Sequence, residues 1–116
     1  MSFEGSCHCG QVAFSVAADP PVQAISCNCT HCRRKGLLLA FFPKNVFTLT
    51  QGADQLTTYT FNTHKIVHQF CNACGVQAFA EGVAPDGTDT RAVNLRCVPA
   101  VDLDALELKR VDGASY

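Results

Sequence analysis

Seven of the eight cysteines in this 116-residue chain stand in three tight groups: Cys7-x-Cys9, Cys27-x-Cys29-x-x-Cys32 and Cys71-x-x-Cys74. Sulfurs one or two residues apart can converge on one metal ion, whereas so short a loop rarely suits a disulfide between the same two residues. Zinc takes thiolate sulfur at about 2.3 Å and usually wants four ligands. Seven clustered thiols suggest four ligands plus three. Four make a closed structural site, and three leave one coordination position open, as zinc catalysis requires.

A chain of 116 residues is expected to fold as a single domain, residues 1–116. A domain of that size buries roughly two-thirds of its unfolded surface, and a metal staple adds stability because metal-binding energy is folding energy. The formal net charge of -1, from 9 basic and 10 acidic side chains, lacks the basic footprint of a general nucleic-acid binder. Met1 to Gly5 has neither the basic start nor the apolar run of a secretory signal. The longest apolar stretch, Leu37 to Phe42, is too short to span a bilayer. The expectation is a soluble cytoplasmic protein with neither nucleic acid nor membrane as partner. Thiols stay reduced in that compartment, so the clusters read as metal ligands rather than a disulfide framework, and an all-thiolate set favours zinc over magnesium or calcium.

Most segments read as short strands. Val12, Phe14 and Val16 alternate with Ala13, Ser15 and Ala17, the pattern of a half-buried strand that Pro20 and Pro21 close. Ala24 to Cys27 leads into the second cluster. Thr30 to Lys35 reads as one helical turn with Gly36 as its stop, and Leu37 to Phe42 as a fully buried strand ended by Pro43. Val46 to Thr50, Leu56 to Phe61, Ile66 to Cys71, Val76 to Glu81 and Ala92 to Val98 are further strands. Turns are expected at Gly52 to Asp54 and Pro85 to Gly87, and a capped helical turn at Asp102 to Leu106. Many short strands with frequent turns predict a mainly β architecture.

Cys71-Asn72-Ala73-Cys74-Gly75 reads as a metal knuckle, in which turn N–H groups stabilise the first thiolate and glycine supplies a backbone shape other residues resist. A redox CxxC expects a βαβ context that these strands do not provide. A knuckle gives two ligands and needs a second pair, and Cys7-His8-Cys9-Gly10 ends in the same glycine. Cys7, Cys9, Cys71 and Cys74 are therefore the expected structural zinc site. Cys27, Cys29 and Cys32 suit a single metal whose fourth place goes to water, substrate or another side chain.

Three thiolates and Zn²⁺ sum to a charge of -1, which Arg33, Arg34 and Lys35 would offset while attracting a carboxylate. The plainer reading of that triplet is a solvated surface. His31 can serve as a fourth ligand, a proton shuttle or a polar surface group. His8 is expected to face away from its neighbours' metal, and His64 and His68 have no clustered partner. Cys97 shares strand parity with Val93 and Leu95 and reads as a buried thiol, with a place near a metal as the alternative. Phe41 and Phe42 read as core, one of them available to wall the open site.

The order of the quoted motifs resembles the family of glutathione-dependent formaldehyde-activating enzymes and centromere protein V. The matching stretches are Cys7 to Gly10, Cys27 to Arg33 and Phe70 to Gly75, with Val93 to Cys97 and Val111 to Ser115 also similar. The resemblance implies a zinc-bound β-tent of small antiparallel sheets. It implies that Cys7, Cys9, Cys71 and Cys74 hold a structural zinc and that Cys27, Cys29 and Cys32 hold a catalytic one, two ions per chain. It further implies addition of glutathione to formaldehyde, giving S-hydroxymethylglutathione, and in reverse a carbon–sulfur lyase. An open zinc site fits that chemistry, since it can lower the pKa of a bound thiol or polarise a carbonyl.

The expected partners are thus a glutathione-like thiol and a small aldehyde. The alternatives are a non-enzymatic zinc module that binds a protein or nucleic acid, and a thiol redox or metal-handling protein. Exposed edge strands leave homodimerisation open.

Overall fold

The Cys7 to Gly10 and Cys71 to Gly75 turns each close a β-hairpin, and the two hairpins belong to different sheets. The computed structural model describes residues 1–61 and 64–112. In the first hairpin β1 (Phe3–Ser6) pairs antiparallel with β2 (Ala13–Val16). Val12, Phe14 and Val16 are fully buried, as their alternation predicts. β5 (Phe47–Gln51) adds to β2 and completes a three-stranded sheet ordered β1-β2-β5.

The larger sheet runs β10-β3-β4-β9-β8-β7-β6. Its strands are β3 (Gln23–Cys27), β4 (Leu39–Pro43), β6 (Leu56–Tyr59), β7 (Val67–Cys71), β8 (Gln77–Val83), β9 (Asp89–Asn94) and β10 (Glu107–Val111). Neighbours pair antiparallel except β10 and β3, which are parallel. β3 meets β4 through one registered pair, Ile25 with Leu39, which joins the β10–β3 ribbon to the remaining five strands. The fold is mainly β, as expected. No helix among the described residues is long and apolar enough to cross a membrane.

The two sheets share a core. Phe3, Phe14 and Val16 of the smaller sheet cluster with Ala24, Phe79 and Val93 of the larger one and with Leu95. Phe47 bridges them, with ring centroids 5.4 Å from Phe14 and 4.9 Å from Phe79.

α1 (Thr30–Lys35) is the helical turn expected from the sequence, and Gly36 ends it at φ 66° with its N–H on the Cys32 carbonyl. Two segments depart from expectation. The strand read over Leu37 to Phe42 starts at Leu39, and it is not fully buried. Leu37, Leu38 and Leu39 are buried but Phe41 is 52 % exposed, because it lies on a sheet face beyond the reach of α1. The strand read over Ala92 to Val98 ends at Asn94, whose side chain accepts from the Arg96 N–H at 3.1 Å and turns Leu95 to Cys97 into a 3-10 helix. β1 and β10 were not anticipated. Of the similar ending at Val111 to Ser115, residues 113 to 115 lie outside the described residues.

Candidate metal and active site

The Sγ atoms of Cys7, Cys9, Cys71 and Cys74 all lie within 4.8 Å of one another. The two turns that deliver them are built alike. In the first, the Cys7 N–H donates to the Val12 carbonyl at 2.9 Å, the Gly10 N–H to the Cys7 carbonyl at 3.2 Å, and the Val12 N–H to Cys7 Sγ at 3.4 Å. In the second, the Cys71 N–H donates to Val76 at 3.0 Å and the Gly75 N–H to Cys71 at 2.8 Å, while the Ala73 and Cys74 N–H groups reach Cys71 Sγ at 3.4 and 3.5 Å. Gly10 at φ 82° and Gly75 at φ 80° make both turns possible.

The donor chemistry fits a divalent cation. The N–H groups of Cys74 and Ala73 pull the Cys71 thiol below its ordinary value against the cost of burial. Burial raises Cys74, but hydrogen bonds from backbone N–H groups and neighbouring thiols outweigh it and bring Cys74 down to about 6. Cys9 gains a lowering hydrogen bond at Gln11, yet burial and its three sulfur neighbours push it up to about 12. Four sulfurs this close cannot all ionise against one another, and a cation at their centre removes that penalty.

Cys27, Cys29 and Cys32 form a second group within the same 4.8 Å limit. Cys27 ends β3, Cys29 caps α1 and Cys32 lies inside the helix, where it is buried. The Cys29 N–H reaches Cys27 Sγ at 3.5 Å and the Cys32 N–H reaches Cys29 Sγ at 3.3 Å. Burial raises the Cys29 thiol, but hydrogen bonds from Cys32, Cys27 and His31 win and lower it. Cys32 is pushed up by burial and by its two thiol neighbours. Leu39, Ala80 and Ala92 share a buried cluster with Cys32, and Cys27 and Cys29 pack against it. Among the described residues no histidine nitrogen or carboxylate joins the group, so a metal held here keeps a position free.

A cleft of about 510 Å³ opens beside Cys27 and Cys32. Arg33, Arg96 and Arg110 line it. The basic triplet therefore divides. Arg33 faces the cleft, whereas Arg34 donates to the Thr30 carbonyl of its own helix at 2.9 Å. Lys35 donates to Gln77 Oε1 at 2.8 Å and sits 4.9 Å over the Phe70 ring. Arg96 and Arg110 were missed by sequence reasoning, since each lies more than sixty positions from the cluster.

His31 is no ligand in this arrangement. Its Nε2 pairs with Gln77 Oε1 at 3.2 Å, and its ring lies 3.9 Å from that of His68 and stacks with Tyr59 and Phe61. His68 does have a clustered partner, contrary to the sequence reading. It is 5 % exposed, and its Nδ1 accepts from buried Gln77 Nε2 at 3.1 Å. Lys35 and His31 both donate to Gln77 Oε1, so Gln77 must present its amide nitrogen to His68, which leaves the His68 proton on Nε2. That Nε2 is buried without a partner among the described residues. His8 is exposed and does not join the four-sulfur group, and His64 bonds Thr60 Oγ1 at 2.8 Å. Cys97 packs half-buried against the core, its thiol 3.8 Å from the Gln77 carbonyl and raised to about 11 chiefly by burial.

Residues 2–107 match the family described as glutathione-dependent formaldehyde-activating enzyme, and the chain belongs to that family. A solved Rhodobacter sphaeroides protein, a structural-genomics target, is similar over 91 % of this chain and 99 % of its own, with a TM-score of 0.75 and 26 % identity.

Proposed function

We propose that this chain is a zinc-dependent carbon–sulfur lyase-type enzyme, forming or cleaving an adduct between a glutathione-like thiol and an aldehyde. Cys7, Cys9, Cys71 and Cys74 hold a structural zinc in this reading, and Cys27, Cys29 and Cys32 hold the catalytic one. The observation that carries it is the convergence of three sulfurs with no fourth protein ligand among the described residues, beside a cleft with three guanidinium groups. Family membership supports it.

Bound zinc would act as a Lewis acid and lower the pKa of a thiol at the free position. The chain's own residues do the rest. Arg33, Arg96 and Arg110 hold the carboxylates of the thiol substrate through charge-assisted hydrogen bonds. Leu39, Ala80 and Ala92 keep water from the underside of the cluster, and the Cys29 and Cys32 N–H groups fix the thiolates of Cys27 and Cys29. Holding two small reactants in one pocket contributes proximity. In the forward direction the thiol sulfur bonds to the carbonyl carbon, the C=O π bond breaks, and the thiol proton ends on the new hydroxyl. The protein is expected to work in the cytoplasm.

The test is elemental analysis and assay of reduced protein purified without chelator. Two zinc ions per chain and accelerated S-hydroxymethylglutathione formation are expected. Cys29→Ser should keep the wild-type circular dichroism, lose one zinc and lose activity. One zinc in the wild type and no acceleration would favour a non-catalytic zinc module instead.

A further inference from the structure

The three-thiol cluster has a second side. Ala80 and Ala92, which share a buried cluster with Cys32 against which Cys27 and Cys29 pack, also line a trough of about 340 Å³. Phe41 on β4 and Ile66 before β7 form its sides, and Gly82 and Thr90 continue its floor. Phe41 and Ile66 are 52 and 53 % exposed, so apolar surface flanks a trough that no other segment of the described chain fills. The cationic cleft is lined by Cys27 and Cys32 and shares no residue with the trough.

Gly82 is the informative residue. It sits within β8, paired with Thr90, where glycine weakens a strand. Its φ is not in the left-handed region, and a Cβ built on it would meet nothing nearer than Thr90 Oγ1 at 3.8 Å. Neither backbone shape nor crowding calls for glycine there. What its missing side chain leaves is space, and that space is the trough. Ala80 and Ala92 belong both to this lining and to the buried cluster that holds Cys32, so they link the trough to the sulfurs.

We infer that the trough is a subsite for an apolar substituent of the carbonyl substrate, and that the chain acts on aldehydes carrying a hydrocarbon chain. The inference rests on the proposed thiol–aldehyde chemistry and narrows its substrate class. The thiol would enter from the arginine cleft and the aldehyde's chain would lie in the trough, placing sulfur and carbonyl carbon together at the cluster between them. Formaldehyde has nothing to put there. A trough of this volume lies at the low end of small-molecule sites, about 300–1,000 Å³. The step is the same addition: the C–S bond forms, the C=O π bond breaks, and the thiol proton goes to the hydroxyl, with no oxidant or reductant.

Two probes separate binding from turnover. Hexan-1-ol, which cannot form the adduct, is titrated into the zinc-loaded protein while the methyl signals of Ala80 and Ala92 are followed by NMR. Hexanal and formaldehyde are then compared as substrates with glutathione. Hexan-1-ol is expected to shift both methyls. The hexanal-to-formaldehyde ratio of kcat/KM is expected to fall at least tenfold in Gly82→Leu, whose side chain fills the trough. Ile66→Ala, at an exposed position that leaves folding intact, should weaken hexan-1-ol binding several-fold. Methyl signals that do not move would overturn the subsite whatever the turnover, as would an equal ratio in wild type and Gly82→Leu. Loss of self-association in Gly82→Leu without any methyl shift would assign the trough to contact between two copies of the chain instead. Methyl shifts with neither aldehyde turned over would support the subsite and sink the lyase reading.

Discussion

Alanine at Arg33 removes one of three guanidinium groups from the cleft beside Cys27 and Cys32. A charge-assisted hydrogen bond contributes about 1.5 kcal/mol or more, so the glutathione KM should rise about tenfold with little change in kcat. Arg34→Ala should leave KM where it was, because Arg34 serves its own helix through the Thr30 carbonyl. Initial-rate kinetics on the two variants decide, and equal increases would remove the division of the triplet. His68 gives a second residue-scale expectation. Burial first, then the charges of His31 and Lys35, depress its pKa from 6.5 to about 4. Below pH 6.5 the unfolded chain takes up a proton at this position that the folded chain refuses, so stability falls as pH drops from 6.5 toward 4. The loss is up to about 3 kcal/mol. Thermal melts across that window should show a shallower decline in His68→Gln than in wild type. A parallel decline would mean the acid sensitivity lies elsewhere, for example in the clustered thiols common to both proteins. His68 was illegible in the sequence for a simple reason. Its neighbours are set by the pairing of His68 with Ala80 and by a helix folded over that face, and neither leaves a mark within the stretch around residue 68.

The best-read elements are those whose shape is local. Both cysteine turns, with their glycines, and the helical turn stopped by Gly36 follow from a few adjacent residues, and the structure has them where they were expected. β10 follows from no such pattern. Four of its five residues are exposed, so it shows no apolar alternation, and its position comes from backbone pairing with β3. The strand end at Asn94 was missed because one side-chain cap, Asn94 to Arg96, outweighs the apolar run that continues through Leu95. The element-scale prediction concerns the second knuckle. Cys71 joins the β7–β8 turn to Cys9 of the other hairpin, Sγ to Sγ 3.6 Å, so the four-sulfur site ties one sheet to the other. Cys71→Ser should lower the melting temperature sharply or abolish a cooperative transition, whereas Cys29→Ser should melt close to wild type. Similar losses of circular dichroism in both would end the distinction between a staple and a working site.

At the scale of the molecule, the sequence motifs named the sulfurs and the mainly β class, but not what surrounds the sulfurs. Arg96 and Arg110 reach the cleft from a 3-10 turn and from the last described strand, and Ala80 and Ala92 lie beneath the cluster from two central strands. Only the assembled sheet brings these distant positions together. The parallel pairing of β10 with β3 has a consequence for how the protein is made. The four-sulfur site is complete in sequence once residue 74 has been synthesised, while the Asn28 N–H beside the three-thiol cluster is satisfied by the carbonyl of Val111, and Arg110 completes the cleft wall. On a ribosome that synthesises from the N-terminus, the four sulfurs can therefore be gathered well before the cleft is walled. A nascent chain would gather its four-sulfur site first and wall the cleft beside the three-thiol cluster only after Arg110 and Val111 have emerged.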